Sequence, residues 1–488
     1  MATVSSAQYL AMALGVVRGL LVARILGPTG WGIFGGTRLV MGYLGHAHLG
    51  LLHGMNRLMP VRLGAGDRER AEGLQNTAFT ACIALSGLAA LGLFVFAAFF
   101  ARFYEFETRL GLALGAAIII AAQANVLYTS ILRTFNRFGL IGKQIVLTAA
   151  VEFVLLIVLS RFFGFIGALA GVLVAGLSVF AYLVACSRIR LELRLRGDEV
   201  RSLLRAGFPL LLLVFANQLL RTVDQVLVLH YRHATDLGVY RVGALMGAAL
   251  YNLPAAVGYV LFPRILRTYG RLGTGQALRR QLMLPTLALA GLVPVMAGAG
   301  ALLIPLVVTK VLGPQYLVGV PTMRALLLAA TFLALPVAGG NFLIAVEKEK
   351  HLIAVSALGA GLVAAATRLA LEAGDGTQAL LLRVSLGVCA GYAVTGALIL
   401  ADALRHYEPS AWPLTRQLLG LYLPIAYCLG AAWVSHRMIG TALGAYLGIW
   451  TNVPEAVGFL ILCFPVLWYT NRRTDVLGAI VAILRRRG

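Results

Sequence analysis

Apolar runs of about twenty residues, each long enough to cross a bilayer as a helix, recur from one end of this chain to the other. No soluble domain of ordinary size fits between them. A mean hydropathy of +0.87 and a charged fraction of 12% agree. The pattern predicts an all-α polytopic membrane protein with about fourteen transmembrane helices. The first six segments lie near 7–26, 31–59, 74–101, 110–132, 144–163 and 165–187. Six more lie near 207–229, 237–263, 281–304, 321–346, 351–372 and 378–402, and the last two near 418–437 and 449–470.

Charge orients this array. The net charge is +22, yet most cations sit in every second loop, such as 62–73, 133–143, 188–205 and 264–280, and so on one side of the membrane. That distribution excludes a nucleic-acid partner and fits the positive-inside pattern, with both termini cytoplasmic. The N-terminus lacks a basic region and a convincing cleavage site, so it reads as a retained first helix. The five cysteines all fall in apolar segments without a CxxC pair, which suggests neither a disulfide framework nor a metal site.

The loop at 188–205 is the longest charged connection and follows the sixth span. The expected organisation is an N-lobe at 1–187, a cytoplasmic linker at 188–205 and a C-lobe at 206–402. Two extra helices at 403–470 and a basic amphipathic tail at 471–488, suited to the cytoplasmic leaflet, complete it. WGIFGGTRL at 31–39 and LGVYRVGAL at 237–245 align as a weak repeat, matching Gly32 with Gly238 and Phe34 with Tyr240. Both run outside to inside, so the two halves would be related by an axis along the membrane normal.

The charges that remain inside the spans carry the functional signal. Arg18, Arg24, Arg38, Arg221, Arg241, Arg324, Arg368 and Arg383 all fall in hydrophobic segments, while Glu152 and Asp224 are the clear acids. A charge at the centre of a spanning helix costs about 2.5–3.5 kcal/mol, so such residues usually face a wet interior. An excess of guanidinium points to an anionic cargo, phosphate above all. Six of these arginines lie in the outer half of their spans, which fits either a basic vestibule or interfacial anchoring. Arg18 and Arg24 are about 240° apart around a helix and do not share one narrow face.

The strings ARILGPTGWGIFG at 23–35, GMNRLMPVRLGAGDRERAEGL at 54–74, DQVLVLHYRHATDLGVYRVGAL at 224–245 and VTKVLGPQY at 308–316 resemble Wzx-type oligosaccharide flippases. That family belongs with lipid II flippases and MATE-like exporters in the MOP superfamily. The resemblance implies two pseudo-symmetric six-helix lobes, two C-terminal helices, and alternating access through a cavity between the lobes. It implies a polyprenyl-diphosphate-linked oligosaccharide as cargo, and a monomer in the inner membrane beside a polymerase or ligase of the same pathway. Arg24 falls within the matching motif, and Arg18 sits where lipid II flippases also use a cavity arginine.

Span seven carries Asn217, Arg221, Asp224 and Gln225 on one stripe. This stripe reads either as a self-neutralising Arg221–Asp224 pair or as a coupling site for a proton or Na⁺. Glu152, alone in the fifth span, reads as a proton site or as a hydrogen-bonded contact between the lobes. His46, His48 and His53 lack metal-ligand spacing and read as packed histidines. No enzyme motif is present, and no cofactor is expected beyond a coupling ion. A multidrug exporter of the same superfamily is the alternative, disfavoured by the excess of arginines over acids. A membrane glycosyltransferase or polymerase is less favoured still, because the external loops are short.

Overall fold

The computed structural model describes residues 2–100, 106–187, 189, 191–373, 376–408 and 410–474, and no β-strand occurs among them. The basic tail from 475 on lies outside the described residues. Eleven helical stretches are long and apolar enough to cross a membrane. The bent pair Gly448–Leu462 and Phe464–Thr474, 45° apart, makes a twelfth. The protein is therefore a multi-pass membrane protein, but the expected count of fourteen is not reached by continuous helices. The difference falls at two glycine breaks.

The first break is in α1 (Ala2–Leu44), where Gly27 holds φ 67° and ψ 176° and Pro28 follows. Proline lacks the N–H that would continue a helix and suits the first turn of a new one. Beyond this point the chain folds back, because Arg38 lies within Coulomb range of Arg18. A straight helix would hold these two about 30 Å apart. The second break is in α5 (Phe138–Ser187), at Phe163 and Gly164. A Cβ on Gly171 would lie 3.2 Å from the backbone of Leu155, where a straight helix would separate the two by about 24 Å. Each stretch thus contains two of the expected spans, folded into a hairpin.

A third break was not expected. The span at 31–59 is interrupted at 45–50, where Leu49 (φ 51°) and Gly50 (φ 92°) adopt left-handed backbone. The helix resumes as α2 (Leu51–Gly64). Its glycines meet α6 (Gly197–Tyr231) backbone to backbone. A Cβ on Gly54 would overlap the Leu203 carbonyl, and one on Gly207 would overlap that of Gly50. Small residues let helices approach where lipid supplies no hydrophobic drive.

The chain divides into two compact units. One comprises the residues up to Gln218 together with Leu229–Gly238. The other comprises Leu219–Val228 and the residues from Val239 on. In the first, α2, α3 (Arg68–Val95), α4 (Phe106–Thr134) and α6 share a core of Leu51, Met55, Met59, Leu74, Ile131 and Leu203. The connection into α6 is tied to α3: Thr80 Oγ1 accepts from the Arg194 N–H at 3.0 Å, and Thr77 donates to Glu199. In the second, Phe459, Cys463, Cys428 and Val295 form part of a core among α8 (Gln276–Val307), α13 (Ala411–Ser435) and α15 (Asn452–Leu462).

The aligned repeat meets itself inside the first unit. The Thr29 and Thr235 hydroxyls lie 2.8 Å apart, 206 residues distant in sequence. A Cβ on Gly32 would overlap the Ala234 carbonyl, and one on Gly238 would overlap that of Pro28. The contact is reciprocal, as across a twofold axis. Gly32→Val and Gly238→Val should therefore destabilise the protein by similar amounts, about 1–3 kcal/mol each. Thermal unfolding in detergent measures this. A variant that melts with the parent would show that its helix does not make the crossing.

Candidate functional site

The charged residues inside the spans gather into two clusters, one in each unit. In the first unit, the Arg18 guanidinium of α1 donates to the Glu152 carboxylate of α5. About a fifth of each side chain remains accessible (22% and 21%). Arg38, on the returning half of α1, feels the charge of both. It is exposed and makes no ion pair among the described residues. Glu152 is therefore not the lone carboxylate that its sequence context suggests. With the acid ionised, two arginines and one glutamate leave this cluster at +1. Arg24 is exposed just before the Gly27 break. Asn217 donates to the Leu213 carbonyl of its own helix at 2.9 Å.

In the second unit, Asp224 is 2% exposed. One of its oxygens accepts from the Tyr240 hydroxyl of α7 (Ala234–Leu272), and Oδ1 has no hydrogen-bond partner. The expected Arg221–Asp224 pair does not form. The Arg221 guanidinium instead lies 4.5 Å from the centroid of the Tyr251 ring. A residue three positions away on the same helix competes here with a phenol delivered by the next helix, and the phenol takes the carboxylate. Arg241 donates to Gln225 Oε1 at 3.3 Å and lies within Coulomb range of Asp224. Tyr392 feels the charge of both Asp224 and Arg221. Two arginines and one aspartate again sum to +1.

Other arginines of the spans have different surroundings. Arg324, in α9 (Val320–Ala334), donates to the Ala301 carbonyl at 2.9 Å. Arg368 is exposed on α11 (Glu349–Glu372) and pairs with Glu372 at 2.7 Å, and Arg383 is exposed on α12 (Thr377–Leu404). The structure also adds a group that sequence does not single out. Glu455 is 2% exposed, lies 3.3 Å from His436 Nδ1 and is close enough to Arg324 to be felt by it. In sequence it sits in the first turn of a helix, where an acid is ordinary.

The three histidines surround the unexpected break. Gly50 N–H donates to His48 Nδ1 at 3.1 Å, and the His48 and His53 rings meet edge to face at 5.4 Å. His46 and His48 are also close, at 6.4 Å. The unwound backbone brings His48 between two rings that a continuous helix would place on another face.

A sequence profile described as "Polysaccharide biosynthesis protein" matches residues 21–321. The chain belongs to that family. Its fold is similar to those of two kinds of solved transporter. It resembles the lipid II flippase MurJ in an inward closed conformation, with 14% identity, a TM-score of 0.71, and 97% of this chain and 99% of that chain covered. It also resembles an inward-facing multidrug resistance MATE family transporter, with 13% identity, a TM-score of 0.67, and 82% and 96% covered. For the Vibrio cholerae MATE transporter VcmN the identity is 14%, the TM-score 0.57, and the coverage 87% and 100%. No curated protein matches the chain by sequence. The sequence resemblance to Wzx-type flippases is thus met by the family and by the fold.

Proposed function

We propose that the protein flips a polyprenyl-diphosphate-linked oligosaccharide from the cytoplasmic to the outer leaflet of the inner membrane, for cell-surface polysaccharide synthesis. The observation that carries this reading is the charge of the two embedded clusters. Each holds two arginines against one acid, so each favours an anion. A diphosphate headgroup bearing sugars cannot cross hydrocarbon unaided, and guanidinium groups along an alternating-access path replace its lost hydration. The family membership and the MurJ-like fold support the same reading. This reading assigns contact with the diphosphate to Arg18, Arg38, Arg221 and Arg241, with Arg24 next. Arg368 and Arg383 are exposed on their helices and fit interfacial anchoring better. Both termini lie in the cytoplasm, and an ion gradient supplies the driving force.

The test is reconstitution into vesicles with a fluorescent polyprenyl-diphosphate glycan on one leaflet. Loss of that leaflet's signal to a membrane-impermeant quencher, faster than in empty vesicles by about tenfold or more, is expected; tenfold corresponds to about 1.4 kcal/mol of barrier. Uptake of organic cations with no glycan movement would establish drug export instead.

A further inference from the structure

A further cationic site, which shares no residue with the embedded clusters, lies where the start of α13, α8 and the end of α16 (Phe464–Thr474) come together. A cavity of about 580 Å³ opens there, within the usual range for a small-ligand site. Leu287, Trp412, Arg416, Gln417, Tyr469 and Arg473 line it.

Its chemistry is specific. Arg416 and Arg473 come from two different helices, and neither is paired with a carboxylate among the described residues. The Arg473 guanidinium lies 5.6 Å from the centroid of the Tyr469 ring, which steadies it at the rim. Glu408, the acid bonded to the cavity's Gln417, is already engaged. It accepts from Arg279 at 2.7 Å and from Gln417 Nε2 at 3.2 Å. Because a carboxylate only accepts, the Gln417 amide must turn its nitrogen to Glu408. Its Oε1 is left buried with no hydrogen-bond partner. The cavity therefore offers two cations for a phosphate and one acceptor for a hydroxyl or ammonium donor.

Depth decides which phosphate. Trp412, Trp468 and Tyr469 are all exposed at this end of the bundle (77%, 54% and 53%), and Arg472 lies 5.3 Å from the centroid of the Trp468 ring. Exposed tryptophan and tyrosine beside arginine mark the level of lipid headgroups. Basic pockets between spanning helices at that level hold anionic headgroups. Leu287 and the Trp412 ring give the start of an acyl chain an apolar wall.

We infer that this cavity binds the headgroup of an anionic membrane phospholipid, its phosphate held by Arg416 and Arg473 and a headgroup hydroxyl donated to Gln417. Phosphatidylglycerol supplies both features. Such a lipid would fasten α16 to α8 and α13, whatever the cargo is.

Native mass spectrometry of the full chain released from nanodiscs tests this. From phosphatidylglycerol nanodiscs the parent should retain one phospholipid, and from phosphatidylcholine nanodiscs none. The Arg416→Ala/Arg473→Ala variant should retain it roughly tenfold less for each guanidinium removed. The Arg416→Lys/Arg473→Lys variant should recover part of the retention, which separates charge from fold. Equal retention by parent and alanine variant overturns the site, as does the absence of bound phosphatidylglycerol from the parent. Displacement of the lipid by inorganic diphosphate at micromolar concentration overturns the lipid assignment and makes the cavity a diphosphate site.

Discussion

Replacing Arg18 with alanine should slow glycan translocation by about 10- to 100-fold, because a charge-assisted contact is worth about 1.5–3 kcal/mol. Protein levels should stay near those of the parent. Arg18 neutralises Glu152 in this structure, and the proposed function gives it a second task, to offer a guanidinium to the cargo. Without it, Glu152 faces Arg38 alone, and the cluster falls from +1 to zero. An anionic headgroup then loses both a contact and the local field. Adding Glu152→Gln to Arg18→Ala restores the net charge of +1 without restoring the guanidinium. If the field alone matters, the double variant should regain most of the rate. If Arg18 touches the diphosphate, the rate should stay low at unchanged membrane abundance. Flipping rates in vesicles and quantitative immunodetection in membranes separate the two. Translocation by Arg18→Ala at the parent's rate would remove this cluster from the cargo path.

The parts of the fold that are local were legible in the sequence, and the parts that depend on distant packing were not. The breaks near 27–30 and 163–165 announce themselves as Gly-Pro and Phe-Gly sequences within apolar runs. The break at 45–50 does not, because its cause lies elsewhere. Gly50 and Gly54 pack against Gly207 and Leu203, which arrive from another helix. The same limit applies to the charges. Sequence identified Arg18, Glu152 and Asp224 as costly in a membrane, but did not name the partner that each one finds. Glu152 finds Arg18 across 134 positions. Asp224 passes over Arg221 on its own helix for Tyr240 on the next. Glu455 escaped notice because its burial depends on α8 and α13, not on its neighbours in sequence. Gly32 and Gly238 could be aligned as equivalents, yet alignment cannot say that the two touch.

Asp224→Asn should abolish the ion dependence of flipping before it weakens cargo binding. A bulky anion moved against its own gradient needs an energy source, and the chain carries no nucleotide-binding motif. A carboxylate inside the membrane can take up a proton or Na⁺, and only a difference in that affinity between two conformations shifts their equilibrium. Asp224 is placed for this. It is 2% exposed, one oxygen accepts from Tyr240, and the other has no partner. The coupling proposed for Asp224 would have a cation or proton add at this unused oxygen. Arg241 opposes a cation arriving there, so a diphosphate that drew Arg241 or Arg221 toward itself would favour uptake. Asparagine keeps the size and still accepts from Tyr240, but it holds neither a charge nor an extra proton. In vesicles with imposed pH or Na⁺ gradients, the parent should flip about tenfold faster with the favourable gradient, a coupling of about 1.4 kcal/mol. Asp224→Asn should show a ratio near one, with cargo affinity changed by less than about twofold, because no cargo contact is removed. Tyr240→Phe should alter the ratio without erasing it, since the carboxylate remains. Should Asp224→Asn answer the gradient as the parent does while Glu152→Gln does not, coupling belongs to the Arg18–Glu152 pair and Asp224 is a structural acid held by Tyr240.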